Sequence, residues 1–286
     1  MKVTTLNKLL IATLFSTTTA LLISCGKDDT PAFEQSAYAT QVFSYTPAPG
    51  QLINTSTGNN DGAKSILNGK DGLVTLGAFG GSIVLGFDHT ILNQDNKEDI
   101  AIYGNAATGF AEPGVVWVMQ DTNSNGQPDD VWYELSGSAK SQPGYVKNYA
   151  ITYTRPATVT GDVTWTDNKG GAGSVKSNAF YKQAYYPSWI TANSYTLTGT
   201  LLPSGNINNS NPSFITSNAF AFGYADNTVD GDKVDIANAV DDKGNQVILK
   251  GVDFIKIQTG IAYDLGWLGE LSTEVRGVAD ISLDSN

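Results

Sequence analysis

The sequence predicts an all-β fold, built as a single β-sandwich or jelly-roll-like domain. Short runs of β-branched and aromatic residues recur between Gly, Asn, Asp and Pro, and 30 glycines supply tight turns. Within residues 253–259, apolar Ile255 and Ile257 alternate with polar Lys256 and Gln258. This alternation is typical of a strand whose sheet is solvent-exposed on one side.

The strand pattern appears in ten segments, and helical patterns are nearly absent. We predict strands at residues 73–76, 82–87, 99–103, 115–119, 131–135, 149–154, 162–166, 194–200, 219–224 and 253–259. The best helical candidate is the short stretch 234–240. Strands of this number and spacing, without a repeat of blade length, favour a sandwich over a propeller.

Composition excludes several classes of protein. The 286 residues include one cysteine and one histidine, so neither an internal disulfide nor a cysteine or multi-histidine metal site is available. The 28 acidic and 17 basic residues give a net charge of -11. Nucleic-acid binders need basic surfaces to neutralise phosphates, so the charge argues against that class.

The N-terminus has the layout of a lipoprotein signal peptide, residues 1–24. Lys2 and Lys8 precede an apolar run that is too short and too rich in threonine for a spanning helix. The run ends in Leu-Ile-Ser-Cys25, which resembles the lipobox of bacterial lipoproteins. The resemblance implies cleavage before Cys25 and its acylation, giving a stable membrane anchor. The alternative is a buried free cysteine.

Residues 25–45 carry no firm period, and we predict a flexible tether that leads to a β-domain at residues 46–286. The run Lys27-Asp28-Asp29 directly follows the predicted lipid anchor. It resembles the surface-export signal of Bacteroidetes lipoproteins. This resemblance implies an outer-membrane protein exposed at the cell surface, whereas the alternative is an ordinary solvated linker.

One loop has the spacing of a calcium site. Oxygen-bearing side chains alternate, a glycine at position 126 permits a sharp turn, and two further acids follow. The predicted ligands are Asp121, Asn123, Asn125, Gln127, Asp129 and Asp130. The loop resembles those of dockerins and thrombospondin-type repeats, although Trp132 stands where an EF-hand has its bidentate glutamate. We predict a structural calcium ion, and the alternative is an ion-free turn.

Catalytic motifs are mostly missing, so we predict a protein that is not an enzyme. A nucleophile triad would need His89, for which a structural hydrogen bond is the simpler interpretation. Glu270 and Glu274 would share a face of an extended segment and leave a glycosidase as the enzymatic alternative. A second acidic cluster from Asp226 to Asp235 fits no ligand spacing cleanly.

An aromatic segment offers a candidate ligand surface. Four tyrosine and tryptophan rings crowd residues 180–190 without a clear period, and they are Tyr181, Tyr185, Tyr186 and Trp189. Exposed rings beside polar groups hold sugars or flat amphipathic ligands. The same residue types also close the ends of sandwich cores, and the sequence favours neither interpretation.

Several segments together resemble the Bacteroidetes "cell surface protein" lipoproteins, over about residues 64 to 284. The similarity lies in residues 80–88, the calcium-like loop with 130–135, and 185–190, 222–227, 251–257 and 268–275. The resemblance implies a neighbouring TonB-dependent transporter and a corrinoid (vitamin B12) ligand. We therefore expect a non-enzymatic ligand-binding module for nutrient capture, with a carbohydrate-binding or adhesive module as the alternative.

Overall fold

Antiparallel strand pairing around one long strand organises the fold. The computed structural model describes residues 34–284, and their regular structure is nearly all β, which confirms the predicted fold class. The strands are β1 (Gln41–Thr46), β2 (Val74–Thr75), β3 (Ser82–Leu92), β4 (Ile100–Tyr103), β5 (Gly114–Met119), β6 (Tyr133–Leu135), β7 (Val146–Thr154), β8 (Val163–Asp167), β9 (Ala172–Val175), β10 (Ser194–Leu201), β11 (Ile207–Asn208), β12 (Thr216–Ser217), β13 (Asp232–Val234), β14 (Ala239–Val240), β15 (Gly251–Thr259), β16 (Glu274–Val275) and β17 (Gly277–Asp280). Helical structure in this part of the chain consists of α1 (Asn60–Ser65) and the 3₁₀ turns Ile236–Asn238 and Gly266–Leu268.

The largest sheet has six strands in the order β1-β3-β15-β5-β6-β14. A four-stranded sheet runs β10-β7-β8-β9, and a three-stranded sheet runs β13-β4-β17. Two short pairs, β2 with β16 and β11 with β12, complete the pattern. Strand β15 is central because it pairs with β3 along one edge and with β5 along the other.

The cores follow from the alternation of apolar residues. Ile255 and Ile257 of β15 are fully buried and belong to one cluster with Ile100 and Ile102 of β4, so the six-stranded and three-stranded sheets share a core. A second cluster lies on the four-stranded sheet and includes Tyr153. This arrangement is sandwich-like, with apolar faces covered by neighbouring sheets and loops.

Two local predictions were wrong. Residues 219–224 form bends rather than a strand, because Phe220 and Tyr224 enter a core from irregular backbone. The stretch 234–240 is helical only in the 3₁₀ turn Ile236–Asn238, and it is flanked by the short strands β13 and β14. Apolar content alone does not distinguish a buried loop from a strand.

The boundaries of the domain also differ from the prediction. Strand β1 begins at Gln41 and pairs with β3, so residues 41–45 belong to the domain and not to the tether. The helix α1 was not predicted, because six residues are too few to show a helical period. It is capped by Asn59, whose Oδ1 accepts the N–H groups of Asp61 and Gly62 at 2.9 Å each.

The predicted signal peptide, Cys25 and the first part of the tether lie outside the described residues. Among residues 34–284, the helices are all too short to cross a membrane.

We expect the central strand to dominate stability. Replacing the fully buried Ile255 by alanine should lower the free energy of unfolding by about 2–5 kcal/mol, because it removes packed methyl groups and leaves a cavity. The matched control is Ile248→Ala, since Ile248 is 90% exposed. Urea denaturation of both variants measures the difference, and similar losses in the two would contradict the assigned core.

Candidate functional site

Three acidic side chains from distant parts of the chain meet inside the domain. Carboxylate oxygens of Glu112, Asp226 and Glu274 all lie within 4.8 Å of one another. Across residues 34–284, this is the one group of three or more Asp, Glu, His or Cys side chains that converges so closely. Asp226 and Glu274 are buried, and Glu112 is half-buried.

Asp226 is held by the backbone on three sides. Its Oδ1 accepts the N–H groups of Asn105 and Ala106 at 2.9 and 2.8 Å, and its Oδ2 accepts the N–H of Glu274 at 2.8 Å. The residue has φ 50°, a left-handed conformation that aspartate tolerates better than most residues. Gly104 is required beside it, because a Cβ there would lie 2.3 Å from Asp226 Oδ1.

Glu274 is positioned by strand pairing. It lies opposite Thr75 in the β2–β16 pair, and its Oε1 accepts hydrogen bonds from Thr75 Oγ1 at 2.8 Å and Ser272 Oγ at 2.9 Å. Glu112 is held by the backbone of Asp226, whose carbonyl oxygen accepts the N–H of Glu112 at 2.9 Å. Its Oε1 accepts the N–H of Ser272 at 3.2 Å. The three carboxylates are therefore fixed relative to one another.

The cluster borders a cavity of about 270 Å³, which we call the acidic cavity. The lining comprises acidic Glu112, Glu270 and Glu274, neutral polar Gln51, Thr75, Asn105 and Ser272, and apolar Leu52, Ala107, Phe110, Leu265 and Leu268. None of these twelve residues carries a positive charge. Negative charge in the cavity wall is therefore not compensated by the residues that line it.

Glu270 is the third carboxylate that lines the cavity, with Glu112 and Glu274. It is 7% exposed, and its Oε1 accepts the N–H of Gln51 at 2.7 Å. Its other oxygen, Oε2, is buried and has no hydrogen-bond partner in the protein. A buried polar atom without a partner costs about 1–3 kcal/mol, so this oxygen is suited to a hydrogen-bonding group supplied by a ligand or by water.

Burial controls the protonation of the cavity. It raises the pKa of Glu112 and Asp226 well above the ordinary range, and the nearby charge of Glu274 raises both further. Burial also raises the pKa of Glu274, although hydrogen bonds from Glu112, Thr75 and other neighbours oppose the effect. The pKa of Glu270 is raised to about 8, again by burial. Neighbouring carboxyl groups in such a site cannot all be ionised unless a cation joins them.

The donor set fits a hard divalent cation. Oxygens that lie within 4.8 Å of one another are spaced like the ligands of a single calcium ion, whose oxygens stand at about 2.3–2.6 Å from the metal. The hydroxyls of Thr75 and Ser272 stand beside the carboxylates as further oxygen donors. Carboxylate and hydroxyl oxygens, without sulfur or imidazole, suit Ca²⁺, Mg²⁺ or Mn²⁺.

The predicted calcium loop, residues 121–130, lies elsewhere and is internally hydrogen-bonded. Asp121 accepts the N–H groups of Asn125 and Gly126, and Asp129 accepts the side-chain amides of Asn123 and Asn125. Asp130 accepts both the N–H and the hydroxyl of Thr122, and Asn125 Oδ1 accepts the N–H of Gln127. This geometry is compatible with an ion-free turn and with a calcium loop, so calcium there stays a prediction.

The aromatic segment is split by the fold. Tyr185 and Tyr186 are 1% and 2% exposed and belong to the core of the four-stranded sheet, so these two rings do not form an exposed ligand surface. Trp189 is half-buried, with its ring 6.1 Å from that of Tyr45. Only Tyr181, at 40% exposure, remains displayed. The two adjacent rings fill space in the close-packed core beneath the four-stranded sheet.

The fold places the other singled-out residues differently. Glu270 and Glu274 do line one cavity, although Glu270 lies outside β16. His89 contacts Asp88 and Asp280 at 2.8 and 3.0 Å and links β3 to the end of β17.

Sequence reasoning missed Glu112 altogether. Its available signal was a lone acid in an otherwise uncharged stretch, between Asp99 and Asp121.

No protein-family model matches this chain, and no curated protein is detectably similar to it.

Burial of Glu270 predicts a pH-dependent stability. Because its pKa is raised to about 8, the folded chain holds a proton that the unfolded chain releases near pH 4.5. Stability of the cation-free protein should therefore fall as the pH rises from about 4.5 to about 8, by at most about 5 kcal/mol from this residue. Urea denaturation in EDTA at several pH values measures the slope.

Glu270→Gln should flatten this slope, since the amide does not titrate. The matched control is Asp242→Asn, which changes an exposed acid outside the cavity. A slope equally steep in Glu270→Gln and in the unmodified protein would contradict the assignment.

Proposed function

We propose that this chain is a lipid-anchored, surface-exposed binding module whose site is the acidic cavity, and that the cavity binds a divalent cation. The observation that carries the proposal is the convergence of Glu112, Asp226 and Glu274 beside a cavity whose lining has no basic residue. Uncompensated buried carboxylates are costly, and a cation removes that cost. Calcium is the best candidate, because every available donor is a hard oxygen and calcium, unlike magnesium, accepts irregular oxygen coordination.

The membrane context of the proposal comes from the N-terminal sequence. Lipidation of Cys25 would confine the binding domain to the membrane plane and raise its effective concentration beside a transporter. The run Lys27-Asp28-Asp29 supports the cell-surface location by resemblance only. A TonB-dependent transporter is the corresponding proposed partner.

The corrinoid ligand remains a proposal that rests on resemblance. The acidic cavity, at about 270 Å³, is smaller than the roughly 300–1,000 Å³ of pockets that enclose drug-sized ligands. A corrinoid exceeds that size. Corrinoid capture by this protein would therefore use an open surface and not this cavity.

A hydrolase is the second candidate function. Glu112 and Glu274 are hydrogen-bonded, and Glu270 in the same cavity has a pKa raised to about 8. Glycosidases use a pair of carboxyl groups, one protonated as the acid and the other ionised. Turnover of a glycan that is lost in Glu274→Gln would favour the enzyme over the binding module.

Calcium binding is the direct test of the cation site. Calorimetric titration of the unmodified chain should give a calcium site that Glu274→Gln weakens by about 100-fold or more, because a ligand carboxylate is lost. Calcium at 100 times its Kd should stabilise the fold by about 2.7 kcal/mol, or roughly 5–10 °C in melting temperature.

The two candidate calcium sites are separated by a matched variant. Asp129→Asn alters only the loop at residues 121–130, and it should leave the cavity site intact. If Asp129→Asn abolishes all calcium binding while Glu274→Gln changes nothing, the cavity is not the cation site.

The anchor is tested in cells. Cys25→Ser should abolish labelling by radioactive palmitate and release the protein from the membrane fraction, because the acylated thiol is missing. Replacing Lys27, Asp28 and Asp29 by alanine should keep the label but protect the protein from protease added to intact cells. Unchanged membrane association of Cys25→Ser would contradict lipidation.

A further inference from the structure

The acidic cavity has more room than a cation needs. Its 270 Å³ correspond to about nine water volumes of ~30 Å³ each. Two of the three converging carboxylates, Glu112 and Glu274, line its wall, and Glu270 contributes a separate carboxylate whose Oε2 is buried without a partner. An ion held by the three carboxylates would leave space in the cavity, and the Oε2 of Glu270, for a second ligand.

Exposed aromatic rings lie on three loops that are attached to residues of the cavity wall. The first loop, residues 178–183, carries Phe180 and Tyr181, which are 76% and 40% exposed. Asn178 accepts the N–H groups of both and donates its side-chain amide to Gln51 of the cavity wall at 3.0 Å. This loop is thereby bonded to the cavity wall.

The second and third loops also carry exposed rings and are also joined to the cavity wall. Phe214 is 53% exposed and packs edge-on against Phe110 of the cavity wall, with ring centroids 5.8 Å apart. Trp267 is 52% exposed and directly precedes Leu268, another wall residue. Gln51 also donates to the carbonyl of Leu268 at 2.6 Å, which joins the third loop to the first. We call Phe180, Tyr181, Phe214 and Trp267 the aromatic rim.

Resting on the proposed cation site, we infer that the organic ligand of the acidic cavity is a saccharide. One sugar ring would enter the cavity and place a hydroxyl against Glu270 Oε2, which can hydrogen-bond a hydroxyl whether the carboxyl is protonated or ionised. Adjoining rings would stack on the aromatic rim. Saccharides combine hydroxyl groups with an apolar C–H face, and the site offers a buried carboxyl oxygen without a partner together with exposed aromatic faces on loops bonded to the cavity wall.

Charge favours a neutral saccharide over a basic peptide. With a divalent cation on Glu112, Asp226 and Glu274, most of the negative charge in the cavity is already compensated. A lysine or arginine side chain of a partner would then compete with the ion for the same oxygens. A neutral polyhydroxylated ligand needs no such exchange, and its hydroxyls can also complete the coordination of a hard cation.

The test is binding of the full chain to an array of oligosaccharides, in calcium and in EDTA, followed by calorimetry with the best one. Binding should require calcium. Trp267→Ala and Phe214→Ala should each weaken the saccharide Kd about tenfold and leave the calcium Kd unchanged. Glu270→Gln should weaken saccharide binding and retain calcium. The matched control Phe222→Ala removes a ring that is 54% exposed but outside the cavity wall, and it should change neither.

The outcomes separate this inference from the cation site. Calcium binding without any bound saccharide overturns the saccharide assignment and leaves the cation site standing. Saccharide binding that is equal in EDTA and in calcium overturns the dependence on the cation. Binding of a lysine-rich peptide that calcium blocks would assign the cavity to a basic protein partner instead.

Discussion

The carboxylate of Asp226 is the interaction on which the site depends. Burying a carboxylate costs several kcal/mol unless hydrogen bonds replace its hydration, and here three backbone N–H groups do so. Those groups belong to residues 105, 106 and 274, which are far apart in the chain. One side chain thus joins the end of β4 to the start of β16, and the backbone of Glu112 is bonded to the carbonyl of the same aspartate.

Other buried acids in the domain show how unusual the cavity is. Glu134 is bonded to the hydroxyls of Tyr145 and Thr200, and Asp232 accepts from Asn227 and Thr228. These carboxylates are satisfied locally and need nothing further. The cavity instead combines converging carboxylates, a raised pKa and an unpartnered oxygen. Departures from local consistency of this kind concentrate at functional sites.

The architecture explains how such a site is tolerated. Antiparallel sheets with buried apolar cores supply the stability, and the aromatic rim lies on irregular loops that contact residues of the cavity wall. A rigid scaffold that positions variable loops is the usual arrangement for binding. The short pair β2–β16 fixes Glu274 opposite Thr75, so the floor of the cavity belongs to the scaffold rather than to the loops.

The sequence by itself determined the all-β class and most strands, because alternation along residues such as Ile255 to Gln258 is a local property of the backbone period. It also determined the scarcity of cysteine and histidine, and hence a site built from oxygen donors. Only the tertiary structure decided that Glu112, Asp226 and Glu274 meet, that Glu270 joins them, and that Tyr185 is core while Trp267 is displayed. Proximity between residues that are distant in the chain follows from strand pairing and packing. It cannot be predicted from the local spacing of residue types.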